Sequence, residues 1–289
     1  MCFALVIATI FISAIFGGHS NVIQQERTFF GVLRVAERPD VRRTLEHGTT
    51  LHGMQSLQPW GANYPLTYYA RSGPVGSIFG ALQSPRPYGN VGVVGLGVGT
   101  LAAYGKPGQD FSYFDIDPAV ISIARDERKF TFLSGSKASV RTVIGDGRLK
   151  LAKEGNGNYD LLVLDAFSSD SVPVHLITRE SMAMYRQKVA ADGVIAYHIS
   201  SRHLRLEPVL ARQAQALGLH GMANRDVKLS ADEAQRGVTA SHWVVMSRSP
   251  ERLQALTGAA GWHTLRASPE TPLWTDDFSN VLSVIDWTR

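Results

Sequence analysis

The stretch from Asn90 to Asp117, NVGVVGLGVGTLAAYGKPGQDFSYFDID, leaves few architectures open. Its apolar, β-branched run from Val91 to Val94 reads as a buried strand. Gly95, Gly97 and Gly99 follow at alternate positions and lead into Thr100 to Tyr104, a first helical turn or two. A second apolar strand, Phe111 to Phe114, stops at Asp115. Glycines so placed let the backbone turn sharply and approach a ligand, ahead of a helix N-terminus that favours polar or anionic groups. An acid ending the next strand, about twenty residues past the first glycine, is where a parallel sheet holds ribose hydroxyls. GxGxG alone would mean no more than a tight strand-to-helix turn. Strand, glycines, helix and terminal acid in that order predict a nucleoside-containing ligand.

Beyond this stretch strands and helices alternate. Pro118 to Arg128 has proline in a first helical turn and apolar residues at helical spacing. Val140 to Ile144 is a third strand, followed by Gly145-Asp146-Gly147, and Tyr159 to Leu164 is a fourth, ending at Asp165. Ser181 to Val189 reads as helix, Gly193 to Ile199 as a fifth strand and Glu207 to Leu217 as another helix. Ser241 to Ser247 and Val281 to Ile285 read as late strands. The alternation predicts an α/β fold, a doubly wound and mostly parallel sheet covered on both faces by helices. Ligands bind such sheets at the carboxyl ends of the strands, which here carry Gly95, Asp115, Asp146 and Asp165.

Upstream the pattern differs. Thr28 to Gln55 holds short β-rich runs parted by turn signals at Arg38-Pro39-Asp40 and His47-Gly48, a small antiparallel unit of two or three strands. Leu66 to Leu82 reads as partly helical despite Gly73-Pro74. Phe3 to Phe16 is uncharged and apolar, yet short of the roughly twenty residues that cross a bilayer. A signal peptide, a buried helix and a membrane-attached segment all remain open, and uniform apolarity fits the last best. If that segment inserts, the arginines at 27, 34, 38, 42 and 43 keep the rest of the chain on the cytoplasmic side. The expected division is an apolar membrane-associated segment at 1–20, a β unit at 21–64 and the α/β catalytic domain at 65–289. The expected localisation is at a membrane with the catalytic domain in the cytoplasm, or otherwise cytoplasmic.

A hydrophobic content of 44% with 19% charged residues is that of an ordinary globular chain. The net charge of +4 is mild and its basic residues are scattered, so nucleic acid is not indicated as a partner. A single cysteine, Cys2, excludes internal disulfides and a cysteine-built zinc site. None of the nine histidines has ligand spacing, so no metal is expected.

The strand-end acids carry the chemistry. For Asp146, between two glycines before a helical run, helix cap and ligand contact are both open. Asp165 is followed by Ala-Phe-Ser-Ser-Asp170, a polar loop with a second acid. Two carboxylates in such a loop suit a cationic amine and the removal of its proton; the alternative is a cap plus a solvated acid. Asp276-Asp277, flanked by Trp274 and Phe278, suits an ammonium group or a surface turn. His47 and His52 read as satisfied strand-end residues, while His175 and His198 stay ambiguous.

These residues together resemble the spermidine synthase (polyamine aminopropyltransferase) family, and in particular its bacterial membrane-fused branch. The resemblance spans about Arg27 to Leu217 and rests on HGMQ, LTYYARSGPVG, GLGVGT, FDID, GDG and YDLLVLDAFSSDSVPVHLIT, the last being the most specific. It implies the Rossmann-like fold of class I methyltransferases behind a small antiparallel β unit. It also implies transfer of an aminopropyl group from decarboxylated S-adenosylmethionine to putrescine, releasing methylthioadenosine, without a metal. By the resemblance, Asp115 holds the ribose hydroxyls, Asp146-Gly147 contact adenine, Gln55 lines the nucleoside site with the three glycines, and Tyr68 lies near the amine. Asp165 matches the first acid of the family's D-x-x-D loop. Ser168 stands where the second belongs, and Asp170, two positions later, is the nearest acid to serve as the base. Val98 replaces an aspartate that reaches the donor's amine, and Tyr69-Ala70 replace a polar and an acidic residue.

The resulting expectation is an aminopropyltransferase-like enzyme, potentially homo-oligomeric, with Asp170 and Asp165 catalytic and Tyr68, Asp276 and Asp277 at the polyamine. The first rival is a methyltransferase using intact S-adenosylmethionine. The second is a non-catalytic, membrane-linked module that binds a nucleoside or polyamine. A dehydrogenase ranks last, because GxGxG here lacks the usual sixth-position glycine.

Overall fold

Two hydrophobic patterns produce two sheets. The computed structural model describes residues 20–48, 50–83, 87–167, 172–201 and 203–287. The apolar Phe3–Phe16 segment and Asp170 lie outside the described residues.

The first sheet is a meander of four antiparallel strands in sequence order, β1 (Asn21–Thr28), β2 (Gly31–Arg38), β3 (Arg42–His47) and β4 (Thr50–Ser56). In β2 and β3 the buried Leu33, Val35 and Leu45 set the inward face, with Arg34 turned to solvent. Two or three strands were expected. The extra one, β1, is polar and mostly exposed, so it has no period-two burial to reveal it.

The second sheet has eight strands in the order β12-β10-β11-β9-β8-β5-β6-β7. Its centre is parallel: β5 (Asn90–Val94), β6 (Asp110–Asp115), β7 (Ser139–Ile144), β8 (Tyr159–Leu164) and β9 (Val189–His198). The other half adds β10 (His220–Asp226), β11 (Ser241–Ser247) and β12 (Trp262–Thr264) through antiparallel pairs. The central strands read as unbroken apolar runs because both their faces are covered. Val91, Val93, Leu161 and Val163 join one core with Ile78 and Phe79 of α1 (Pro74–Gly80). Val94, Leu162 and Leu164 join the other with Met182 and Tyr185 of α4 (Arg179–Lys188) and Leu210 of α5 (Glu207–Ala216). Within the parallel half, α2 (Pro118–Arg125) connects β6 to β7 and α3 (Gly147–Ala152) connects β7 to β8.

Three local readings need correction. Thr100–Tyr104 is a 3-10 turn rather than α-helix. Val281–Val284 is also a 3-10 turn, not a strand; Leu282 is exposed, and a single bridge joins Ile285 to Leu204. Strands β10 and β12 were not foreseen, because HGMANRD and WHT carry too little apolar alternation to announce themselves. Among the described residues, no helix is long and apolar enough to cross a membrane.

A third, smaller core joins the two sheets. Leu33, Val35 and Leu45 pack with Val98 of the glycine loop, Ile123 of α2, and Phe130 and Phe132. This junction fixes β4 against the loop that follows β5.

Candidate active site

The carboxyl ends of the parallel strands share one edge, and β5 lies between β6 and β8. The glycine loop after β5 therefore divides that edge, with Asp115 and Asp146 on one side and Asp165 on the other. The loop fits because it lacks side chains. Gly95 has φ 94° and Gly97 φ 54°, both left-handed. A Cβ on Gly95 would lie 2.3 Å from the backbone oxygen of Asp165, and one on Gly97 2.4 Å from that of His52. The loop is thus wedged between the end of β8 and strand β4.

On the first side, Asp115 ties this loop to β6. Its Oδ2 accepts from the Leu96 amide and its Oδ1 from the Asp117 amide, each at 2.9 Å. Burial pushes its pKa up to about 6, against the pull of those hydrogen bonds. A carboxylate has about four acceptor positions, so it retains room for ribose hydroxyls. Asp146 caps α3, accepting the Leu149 amide at 2.8 Å, while its Oδ2 sits 3.1 Å from His175 Nε2. Gly147 lets α3 rest on β5, since a Cβ there would lie 2.4 Å from Val94 Cγ1. Around these acids Ile116, Ile144 and Leu149 are 46%, 47% and 65% exposed. Three bared apolar side chains at one strand edge suit the face of a planar base.

The Asp115 shift gives a pH dependence with a definite sign. If ribose hydroxyls donate to the ionised carboxylate, binding below about pH 6 must first expel a proton. The dissociation constant for methylthioadenosine should rise about tenfold per pH unit below 6 and level off above it. Calorimetric titration from pH 4.5 to 8 checks this; a flat profile would remove Asp115 from the ribose.

On the second side, Asp165 belongs to a buried polar array. Its Oδ2 accepts from the Tyr69 hydroxyl at 2.6 Å, and its Oδ1 lies 2.7 Å from His198 Nδ1. His198 Nε2 lies 2.8 Å from Ser200 Oγ, which accepts the His242 amide at 2.8 Å. The His198 ring stacks on Trp243 at 4.6 Å and 8°, with Tyr68 4.6 Å away and Phe167 edge-on at 4.8 Å. Burial, reinforced by the Asp165 charge, pushes the Tyr68 and Tyr69 hydroxyls well above their usual pKa, so both stay donors.

This array opens onto a cavity of about 640 Å³ that reaches the glycine loop at Gly97 and extends past Ser200 to Glu207, Arg205 and Arg225. Glu207 is taken up by His242 at 2.9 Å and His263 at 2.8 Å. The guanidinium groups of Arg205 and Arg225 have no hydrogen-bond or ion-pair partner among the described residues.

The expected site residues separate accordingly. Asp165, Tyr68 and Gly97 line the cavity, and the Tyr68 hydroxyl donates to the Leu51 carbonyl at 2.8 Å. Asp115, Asp146 and Gly147 stand across the loop. Gln55 does not line the cavity: its Nε2 donates to the Ala62 carbonyl and Thr131 Oγ1, and its Oε1 accepts the Thr131 amide. Asp276 faces elsewhere. It is paired through both oxygens with Arg148 at 2.7 and 2.6 Å, which holds it down to about 2, and it ties the C-terminal segment to α3. Asp277 is exposed beside it, and neither acid lines the cavity. Of the aromatics flanking that pair, Trp274 is in the core and Phe278 is 52% exposed. Val98 is fully buried and turned toward the first sheet, away from the cavity.

Tyr69 and Ser200 were not foreseen as site residues, and His198 was left open. One signal was available for His198: β8 and β9 are parallel with Leu164 opposite Tyr197, so the next residues, Asp165 and His198, end side by side.

Comparison with known proteins agrees with the resemblance read from the sequence. No family model matches the chain. Over 186 residues it is 28% identical to the polyamine aminopropyltransferase of Vibrio vulnificus (strain CMCP6), covering 62% of this chain and 59% of that one. The chain thus spans well under two thirds of that relative's length. Among solved structures it is similar to a probable spermidine synthase from Corynebacterium glutamicum ATCC 13032, at TM-score 0.58 and 12% identity, over 84% of this chain and 90% of that one. It is also similar to a spermidine synthase in complex with the transition-state analogue AdoDATO, at TM-score 0.56 and 12% identity over 86% and 82%. A third, the spermidine synthase from Thermotoga maritima, has TM-score 0.54 and 13% identity over 86% and 81%. The fold is therefore that of the spermidine synthases, an α/β methyltransferase-type sheet behind a small antiparallel sheet.

Proposed function

We propose that the chain is an aminopropyltransferase that moves the aminopropyl group of decarboxylated S-adenosylmethionine to a polyamine such as putrescine. One observation carries this reading. A buried carboxylate, Asp165, stands on a cavity that abuts the glycine loop, while the exposed apolar side chains and Asp115 wait on the loop's other side. The adenosine belongs with Asp115, Asp146, Ile116 and Ile144, and the amine with Asp165 and Tyr68. The 28% identity to a polyamine aminopropyltransferase points the same way.

The chemistry asks little of the protein beyond alignment and loss of a proton. The sulfonium is a good leaving group, so the amine lone pair attacks the adjacent carbon, the C–S bond breaks onto sulfur, and methylthioadenosine departs. Holding the two reactants end to end across the glycine loop supplies the alignment. An acceptor amine with a pKa of about 10 arrives as an ammonium and must lose a proton before it can attack.

A second reading, methyl transfer from intact S-adenosylmethionine, is favoured by Arg205 and Arg225, whose guanidinium groups suit a substrate carboxylate. Incubating the purified chain with each donor and a panel of amines, then reading product masses, separates the two. An aminopropylated amine with methylthioadenosine supports the proposal. A methylated product would replace it with the second reading, and tight binding without product would point to a binding module.

A further inference from the structure

Removal of the amine's proton needs a base, and the D-x-x-D pattern offers Ser168 where the second acid belongs. Each oxygen of Asp165 already has a close partner, Tyr69 or His198, and its side chain is only 5% exposed. The hydrogen bonds of the array fix a direction for a proton. Asp165 is an acceptor, so the His198 nitrogen 2.7 Å away, Nδ1, carries hydrogen. In neutral His198 the other nitrogen, Nε2, is then an acceptor, and Ser200 must donate its hydroxyl hydrogen to it at 2.8 Å. Ser200 Oγ has two lone pairs. One takes the His242 amide, and the other is left for a donor in the cavity.

We infer that His198 is the proton acceptor for the substrate amine, reached through the Ser200 hydroxyl and held in the required tautomer by Asp165. The ammonium gives a proton to Ser200 Oγ as Ser200 gives its own to His198 Nε2, leaving a neutral amine and an imidazolium paired with Asp165. The freed amine then displaces methylthioadenosine from the aminopropyl carbon, and the imidazolium later releases its proton to solvent. This assignment rests on the aminopropyl-transfer reading and adds to it the identity of the base. Flat stacking on Trp243 and contact with Tyr68 hold the ring in place for both protonation states. Among the described residues, the titratable groups that touch His198 are Asp165, Tyr68 and Tyr69. Farther along the cavity lie His52, Asp286 and the Glu207–His242 pair, with Arg205 and Arg225 as its cations.

The test is the pH profile of kcat/KM for His198→Gln in the full chain, with decarboxylated S-adenosylmethionine and putrescine. At pH 7 the variant should be slower by about 10²–10⁴-fold. That deficit should shrink toward pH 10, where the amine loses its proton to bulk water unaided. Affinity for methylthioadenosine should stay at the wild-type value and confirm a folded protein. Should His198→Gln not fold, Ser200→Ala interrupts the same path and should show the same narrowing deficit. A wild-type rate and profile, or a deficit unchanged across the pH range, would overturn the assignment and leave the transferase reading standing. Absence of an aminopropylated product from the wild type would overturn both.

Discussion

Asp165→Asn should lower turnover by about 10²–10⁴-fold at neutral pH with little change in fold stability. The amide is nearly the same size, and its oxygen can still accept from the Tyr69 hydroxyl that now bonds Asp165 at 2.6 Å. What changes is the face toward His198. An NH₂ group there would donate to Nδ1, moving the ring hydrogen to Nε2 and leaving Ser200 nothing to donate into. The imidazolium formed after proton transfer would also lose its counter-ion. Steady-state kinetics with a saturating donor checks this, and the loss should fall on kcat rather than on the donor KM. A loss confined to KM would make Asp165 a binding group only.

Val98→Asp should destabilise the chain by about 3–5 kcal/mol, a large share of the roughly 5–15 that hold a domain together. Aspartate is what the family resemblance would place between these glycines. Here that position is sealed: Val98 has 0% exposure and packs with Leu33, Val35, Leu45 and Phe132. A Cβ on Gly53 would lie 2.4 Å from Val98 Cγ2, so β4 and the loop already touch. A carboxylate there has no described cation beside it and would be desolvated without compensation. Urea unfolding should show a lower midpoint at an unchanged slope. An unchanged midpoint with tighter binding of the decarboxylated donor would instead mean that residue 98 faces the ligand.

Much of this was legible in the chain because its central strands are covered on both faces. Val91–Val94 and Leu161–Leu164 cannot be half-buried strands, and their ends place Gly95 and Asp165 at one edge. Asp115 followed by the same reasoning, whereas Asp146 follows the half-exposed edge strand β7 and was marked by its flanking glycines. Elements without that pattern were hidden: β1 is mostly polar and its Val22 and Ile23 are exposed, and β10 gains its burial from neighbours rather than from its own composition. Side-chain partners were harder still. Nothing local to Asp276 announces Arg148, 128 residues away, and nothing local to Gln55 announces Thr131, 76 residues on. His198 lay between these cases, since its pairing follows from strand register once β8 and β9 are known to be neighbours.

In the proposed reaction the glycine loop separates a nucleoside side, built on Asp115, from a proton-transfer side, built on Asp165 and His198. Calorimetric titration of methylthioadenosine into the wild type, Asp115→Asn and Asp165→Asn at pH 7.5 addresses this separation directly. Losing hydrogen bonds to a charged acceptor should weaken the Asp115→Asn variant by about 10–100-fold, while Asp165→Asn stays within about twofold of the wild type. Equal affinities in all three proteins, or a loss confined to Asp165→Asn, would contradict the division.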